Sequence, residues 1–170
     1  MNYQEAKAWI ERDGAGICLG LERIRRFLEI LGDPQNELKC IHIAGTNGKG
    51  SLLAYVSHTL TLAGYKVGRY LSPSIYSYLG RYQINETPMT EEQFVRCVER
   101  LCEASEILER EDGMQPSLFE LETALSFLWF KESACDYVVL ECGMGGASDA
   151  TNVIPSPLMA MFASISLDHM

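Results

Sequence analysis

Residues 40–63 restrict the fold more than any other stretch of this chain. A short apolar run, Cys40 to Ala44, stops at Gly45. The loop Gly45-Thr-Asn-Gly-Lys-Gly-Ser51 follows, and then a segment of helical character from about Gly50 to Ala63. A strand that passes through a glycine loop into a helix is a unit of parallel α/β sheets, and it builds a phosphate site. The glycines let backbone amides approach an anion, the helix N-terminus adds partial positive charge, and Lys49 adds a full one. Gly45, Thr46, Asn47, Gly48, Lys49, Gly50 and Ser51 are therefore candidate phosphate-binding residues, and ATP is the first cofactor to consider. The spacing is not that of the common phosphate loop. Ile43 stands where that pattern has its first glycine, and Gly50 separates Lys49 from the hydroxyl of Ser51. An ordinary strand-to-helix turn is the other reading of the same residues.

The remaining periodicity extends this unit. Gly20 to Leu31 predicts a helix with Leu21, Ile24, Leu28 and Leu31 on one stripe, ended by Gly32-Asp33-Pro34. Gly64 stands where a helix C-terminal cap belongs, and a short strand is expected at Lys66–Leu71. Ser72 to Pro88, rich in Ser, Tyr and Pro, reads as a loop. Thr90 caps the next helix, with Gln93 completing a capping box and Phe94, Val98, Leu101 and Leu108 along its apolar stripe. Gly113 ends it. Ser117 caps a further helix, to about Lys131, apolar on most sides and so expected to be buried. Asp136–Glu141 and Pro157–Ser166 are strands. This alternation predicts an α/β fold of phosphate-loop type: a mostly parallel sheet with helices on both faces, whose ligands bind beyond the carboxyl ends of the strands.

Composition narrows the function. With 170 residues, 47% hydrophobic, the chain has material for one ordinary domain with a sizeable core. A net charge of −9 argues against a broad nucleic-acid or anionic-membrane footprint. Met1 to Ile10 alternate polar and apolar groups and lack the apolar core of a signal peptide. No apolar run approaches the ~18 residues that span a bilayer. The six cysteines form no C-x-x-C pair, which indicates neither a zinc nor a redox motif and suits a cytoplasmic protein of reduced thiols.

The strand ends carry the polar residues. Glu141 closes the apolar run Tyr137-Val-Val-Leu and can hold Mg²⁺ or orient a water; a capping or salt-bridging glutamate is the alternative. Gly143-Met-Gly-Gly146 and Ser148-Asp149-Ala-Thr-Asn152 suit close approach by a ligand. There Asp149 can accept from a donor-rich substrate or form an Asx-turn. His169, beside Asp168 and just past the last strand, can serve a metal or a phosphate, or be structural. His42, inside the first strand, is expected to pack or hydrogen-bond in the interior. Ser72 can reach a metal or sit in a plain turn. Arg81 can meet an anion or be solvated. Tyr76, Tyr78 and Tyr82 can line a flat-ring pocket or pack on their own loop.

Taken together, the chain resembles the folylpolyglutamate synthase/dihydrofolate synthase family, within the Mur-ligase-like ATP-dependent amide ligases. The resemblance runs from about residue 18 onward. It rests on Gly20-Leu-Glu-Arg-Ile24, Leu31-Gly-Asp-Pro-Gln35, His42 to Ser51 with its inserted glycine, Ser72-Pro73, Phe119-Glu120, Glu141-Cys-Gly-Met-Gly-Gly146, Asp149-Ala-Thr-Asn152 and Leu167-Asp-His169, all in family order. It implies that Gly45 to Ser51 cradle the ATP phosphates with Lys49 on the terminal ones. Ser72, Glu141 and His169 would serve Mg²⁺, and Lys49, Glu141 and His169 would carry the catalytic work. Ser117, Phe119 and Asp149 would line a pterin site, with Arg81 also on the substrate side.

The implied reaction activates the carboxylate of dihydropteroate or a reduced folate as an acyl phosphate, which L-glutamate then attacks. The family alternatives are a Mur-type ligase acting on a UDP-sugar peptide and a non-catalytic nucleotide-binding module. The chain departs from the family pattern on the substrate side, with Ser74 for the usual histidine, Gly80 for a glutamate and Ala147 for an arginine. The resemblance also implies that residues 1–170 are the N-terminal ATP-binding domain of a longer, monomeric enzyme. The rest of that domain and a C-terminal domain would follow Met170, and the piece alone would not complete a catalytic cycle.

Overall fold

The computed structural model describes residues 1–12, 20–74 and 77–166. Helix α1 (Tyr3–Ile10) opens the chain on a capping box between Asn2 and Glu5. Its pattern is weak in sequence because only Ala6 and Ile10 are buried. Helix α2 (Glu22–Ile30) precedes β1 (Cys40–Ala44), α3 (Lys49–Leu62) and β2 (Val67–Tyr70). Strands β3 (Tyr82–Ile84) and β4 (Thr87–Pro88) lead to α4 (Glu91–Asp112), α5 (Leu118–Glu132), β5 (Tyr137–Glu141) and β6 (Met159–Phe162). The predicted capping box of Thr90 with Gln93 is formed, and Gly113 closes α4 in a left-handed conformation.

The six-stranded sheet has the order β4-β3-β2-β5-β1-β6. β2, β5, β1 and β6 are parallel, and β3 and β4 add antiparallel to the β2 edge. Alternation along the pleat sorts the strand residues between two cores. Ile41, Ile43, Val67 and Val139 pack with Leu53 of α3 on one face. Cys40, Tyr70, Val138 and Leu140 pack with α1, α2, α4 and α5 on the other. Helices therefore cover both faces, as the pattern predicts. Every residue from Leu121 to Phe130 of α5 is buried, which is why that helix reads as apolar all round.

One expectation is corrected. The segment 72–88 is not simply a loop: a 3₁₀ turn at Tyr78–Arg81 runs into the β3–β4 hairpin. The hairpin turns at Asn85 and Glu86, both at positive φ. Such turns usually announce themselves with Asn-Gly, and a glutamate in that position hid this one. Tyr82 is buried and stacks on Tyr70, and Tyr78 packs edge-on against Phe94, so these two rings serve the core; Tyr76 lies outside the described residues.

Among the described residues no helix is long and apolar enough to cross a membrane. The five described cysteines are free thiols. Burial pushes the Cys40 thiol up to about 12, in keeping with packing rather than reactivity.

Candidate active site

The phosphate loop leaves the carboxyl end of β1 and is braced from one side. The N–H groups of Thr46 and Asn47 donate to the carbonyl of Ser164 at 2.7 and 3.3 Å, and the Thr46 hydroxyl donates to the carbonyl of Ser166 at 3.0 Å. Gly45 sits at φ +142°, and a side chain there would meet Ala163 at 3.0 Å, so the loop can lie this close to the β6 exit only with glycine. The structure thus divides the predicted cradle. The amides of Thr46 and Asn47 hold the loop. The first helical bond runs from Leu52 N to Gly48 O, so helix geometry leaves the N–H groups of Lys49, Gly50 and Ser51 without intrahelical acceptors, as an anion site requires. The inserted Gly50 lies inside the first turn of α3, with open space where a side chain would be.

Lys49 folds back over this loop. Its Nζ donates to the carbonyls of Gly45 at 2.9 Å and Thr46 at 3.4 Å, and stands 4.0 Å from Glu141 Oε1. Glu141, at the end of β5, points to the α3 face and is buried. Burial raises its pKa, while Lys49 and the backbone N–H of Ser72 pull it back down. β1, β5 and β2 thereby bring Lys49, Glu141 and Ser72 together. Among the described residues no group of three His, Cys, Asp or Glu side chains is placed to hold a metal. One carboxylate with Ser72 beside it still suits Mg²⁺, which keeps waters and substrate phosphates as most of its ligands. His169 lies outside the described residues.

On the opposite face of the same strand ends lies the second group. Phe119 is half-buried, 6.4 Å between ring centres from Tyr70. A side chain on Gly143 would come within 2.6 Å of its ring tip and 3.0 Å of Asp149 Oδ2, so the chain leaving β5 passes directly over Phe119. Asp149 is engaged on both oxygens. Oδ2 accepts from Met144 N at 2.7 Å, and Oδ1 accepts from the backbone N–H and the hydroxyl of Thr151. This is the Asx-turn reading, with the loop itself supplying the donors. Ser117 is equally committed: its N–H and hydroxyl both donate to Glu120 at 2.7 and 2.9 Å, and Arg23 Nε donates to the same oxygen at 2.7 Å. Ser117 and Asp149 therefore shape the edges of this face, and Phe119 supplies its ring.

Arg81 is neither solvated nor turned outward. Its guanidinium pairs with the buried carboxylate of Glu122, lies over the Tyr78 ring at 4.2 Å and donates from Nε to Tyr78 O at 3.1 Å. Tyr78 donates its hydroxyl to Glu122 at 3.0 Å. Glu122 went unnoticed in the sequence, although a carboxylate within an otherwise apolar stretch of helix signals a buried partner, as Glu120 two residues earlier also does. Replacing Glu122 with alanine leaves Arg81 uncompensated and is expected to cost about 3 kcal/mol in chemical denaturation. Glu122→Gln, which keeps an acceptor for Tyr78, should cost less, and equal losses would contradict this assignment. Nearby, Ser74 and Gly80 meet: a side chain on Gly80 would lie 2.8 Å from Ser74 Oγ and 3.1 Å from Ser77 Oγ. Ala147 is exposed on the loop after the double glycine.

A mostly parallel sheet with a braced glycine loop, an open helix N-terminus, a lysine and a strand-end carboxylate defines the class: an α/β protein of Mur-ligase-like fold. Comparison with known proteins narrows it. No protein-family model matches the chain. It is 39% identical over 170 residues to the dihydrofolate synthase/folylpolyglutamate synthase of Bacillus subtilis, covering 99% of this chain and 39% of that protein. A folylpolyglutamate synthase solved with AMPPCP and folate superposes with a TM-score of 0.95 at 35% identity, covering 100% of this chain and 42% of the other. That of Mycobacterium tuberculosis with ADP superposes at 0.91 with 32% identity, covering 99% and 38%. Over the stretch it covers, the chain belongs to the folylpolyglutamate synthase/dihydrofolate synthase family. It spans about two fifths of the length of the curated relatives it matches.

Proposed function

We propose that this chain provides the ATP-binding domain of a longer ligase that joins L-glutamate to the carboxylate of dihydropteroate or a reduced folate. The observation that carries the reading is the approach of Lys49 to Glu141 at the mouth of the sheet, beside open helix amides. Relatives named for this activity, and structures of relatives holding AMPPCP, folate or ADP, support it.

A carboxylate resists amine attack because oxide is a poor leaving group. In the proposed reaction the acceptor's carboxylate oxygen attacks the terminal phosphorus of ATP, and the bond to ADP breaks. The glutamate nitrogen then attacks the acyl carbon, losing a proton as inorganic phosphate leaves. The amides of Lys49, Gly50 and Ser51 hold the phosphate oxygens, and Lys49 leaves its loop carbonyls to follow the charge on the transferring group. Glu141 and Ser72, together with His169 as the family resemblance implies, would hold Mg²⁺, which when bound offsets the charge of the phosphates. Phe119 offers the ring face for a flat heterocycle, between edges shaped by Ser117 and Asp149. Arg81 acts from within, tying the turn at Tyr78–Arg81 to Glu122 of α5.

The test is ADP release by the native gene product with ATP and L-glutamate, comparing dihydropteroate, tetrahydrofolate and no acceptor. ADP release that depends on an acceptor is the expected result. ATP binding without turnover on either acceptor would leave a non-catalytic nucleotide-binding module.

A further inference from the structure

His42 lies on β1, two residues before the strand ends, and faces the opposite side of the sheet from Lys49 and Glu141. Its Nε2 is 2.8 Å from Thr151 Oγ1. Thr151 Oγ1 in turn donates to Asp149 Oδ1, and Asp149 Oδ2 accepts from Met144 N. His42, Thr151 and Asp149 are 8%, 0% and 5% exposed, so water does not substitute for any link. The protons are determined. Asp149 already accepts two backbone N–H groups, and the single hydroxyl proton of Thr151 lies on the carboxylate side. Only a proton on Nε2 of His42 then completes the remaining contact. Burial lowers the His42 pKa, which keeps the imidazole neutral with that one N–H.

We propose that His42 is a positioning residue for the glycine loop 143–146, which it fixes through Thr151 and Asp149 to the strand that leads into the phosphate loop. The N–H of His42 orients the Thr151 hydroxyl, the hydroxyl orients the Asp149 carboxylate, and the carboxylate holds the Met144 amide. Gly145 and Gly146, both at positive φ, give the loop little rigidity of its own. The loop that crosses Phe119 therefore takes its position from β1. Its kinetic consequence rests on the ligase reading above; the chain of bonds does not.

The experiment uses the native gene product. NMR of the imidazole nitrogens should show His42 with a protonated Nε2 and a bare Nδ1; the opposite tautomer overturns the proposal. Thr151→Val should raise hydrogen exchange at the Met144 amide by about tenfold, one hydrogen bond's worth, with the β1 amides unchanged. Thr151→Ser should restore wild-type exchange. Unchanged exchange at Met144, or equal acceleration in β1, also overturns it, whether or not the protein turns over. Thr151→Val should also raise the acceptor KM by about tenfold while the KM for ATP stays within about twofold; equal rises in both would count against positioning. A wild-type protein without turnover defeats the ligase reading alone and leaves the tautomer and exchange results to decide this one.

Discussion

Lys49→Met is expected to lower kcat/KM for acceptor-dependent ADP release by about a thousandfold, the usual cost of removing a charge that faces a transferring phosphoryl group. In the resting structure the ammonium rests on two carbonyls of its own loop and beside Glu141, and its removal leaves that buried carboxylate without a cation. The fold should persist with a lower melting temperature near neutral pH, and the difference from the parent should narrow in acid as Glu141 takes up its proton. Activity within tenfold of wild type would remove Lys49 from the proposed chemistry.

Glu141→Gln should separate stability from activity. The buried carboxyl holds its proton more tightly in the folded chain than at its ordinary value of 4.5. Between the unfolded and folded values the native state binds more protons, so this group lowers stability as pH rises through that window, and the loss persists above it. Glutamine carries no such burden. The variant should melt higher than the parent at pH 8, with the gap closing toward pH 4, because Lys49 keeps its two loop carbonyls. Ligation should fall by about a hundredfold or more, since the amide is a far poorer partner for a divalent cation. A melting temperature that drops at pH 8 would show that the attraction between Lys49 and Glu141 outweighs the burial of the carboxylate.

Local signals carried most of the fold. The change from strand to glycine to helix between Cys40 and Leu62 is written in consecutive residues, and so is the Thr90 cap. The β3–β4 hairpin was hidden because Asn85 and Glu86 adopt left-handed conformations that glycine usually supplies. In the site, Lys49 and Glu141 follow from strand ends in a parallel sheet. The pairing of Arg81 with Glu122, and of His42 with Thr151, joins residues far apart in sequence, and neither partner's spacing names the other. Asp149 illustrates a related limit: its residue type suits a ligand acceptor and an Asx-turn equally, and only the positions of Met144 and Thr151 show that its own loop takes up both oxygens.

The contact between Ser74 and Gly80 has an evolutionary consequence. The space a side chain at position 80 would claim is partly filled by Ser74 Oγ, with the Ser77 cap close behind. Substitutions at positions 74 and 80 are therefore epistatic: the effect of enlarging one depends on what occupies the other. A lineage that adds a side chain at position 80 must first turn or shorten the one at position 74, so engineering this edge calls for varying both positions together.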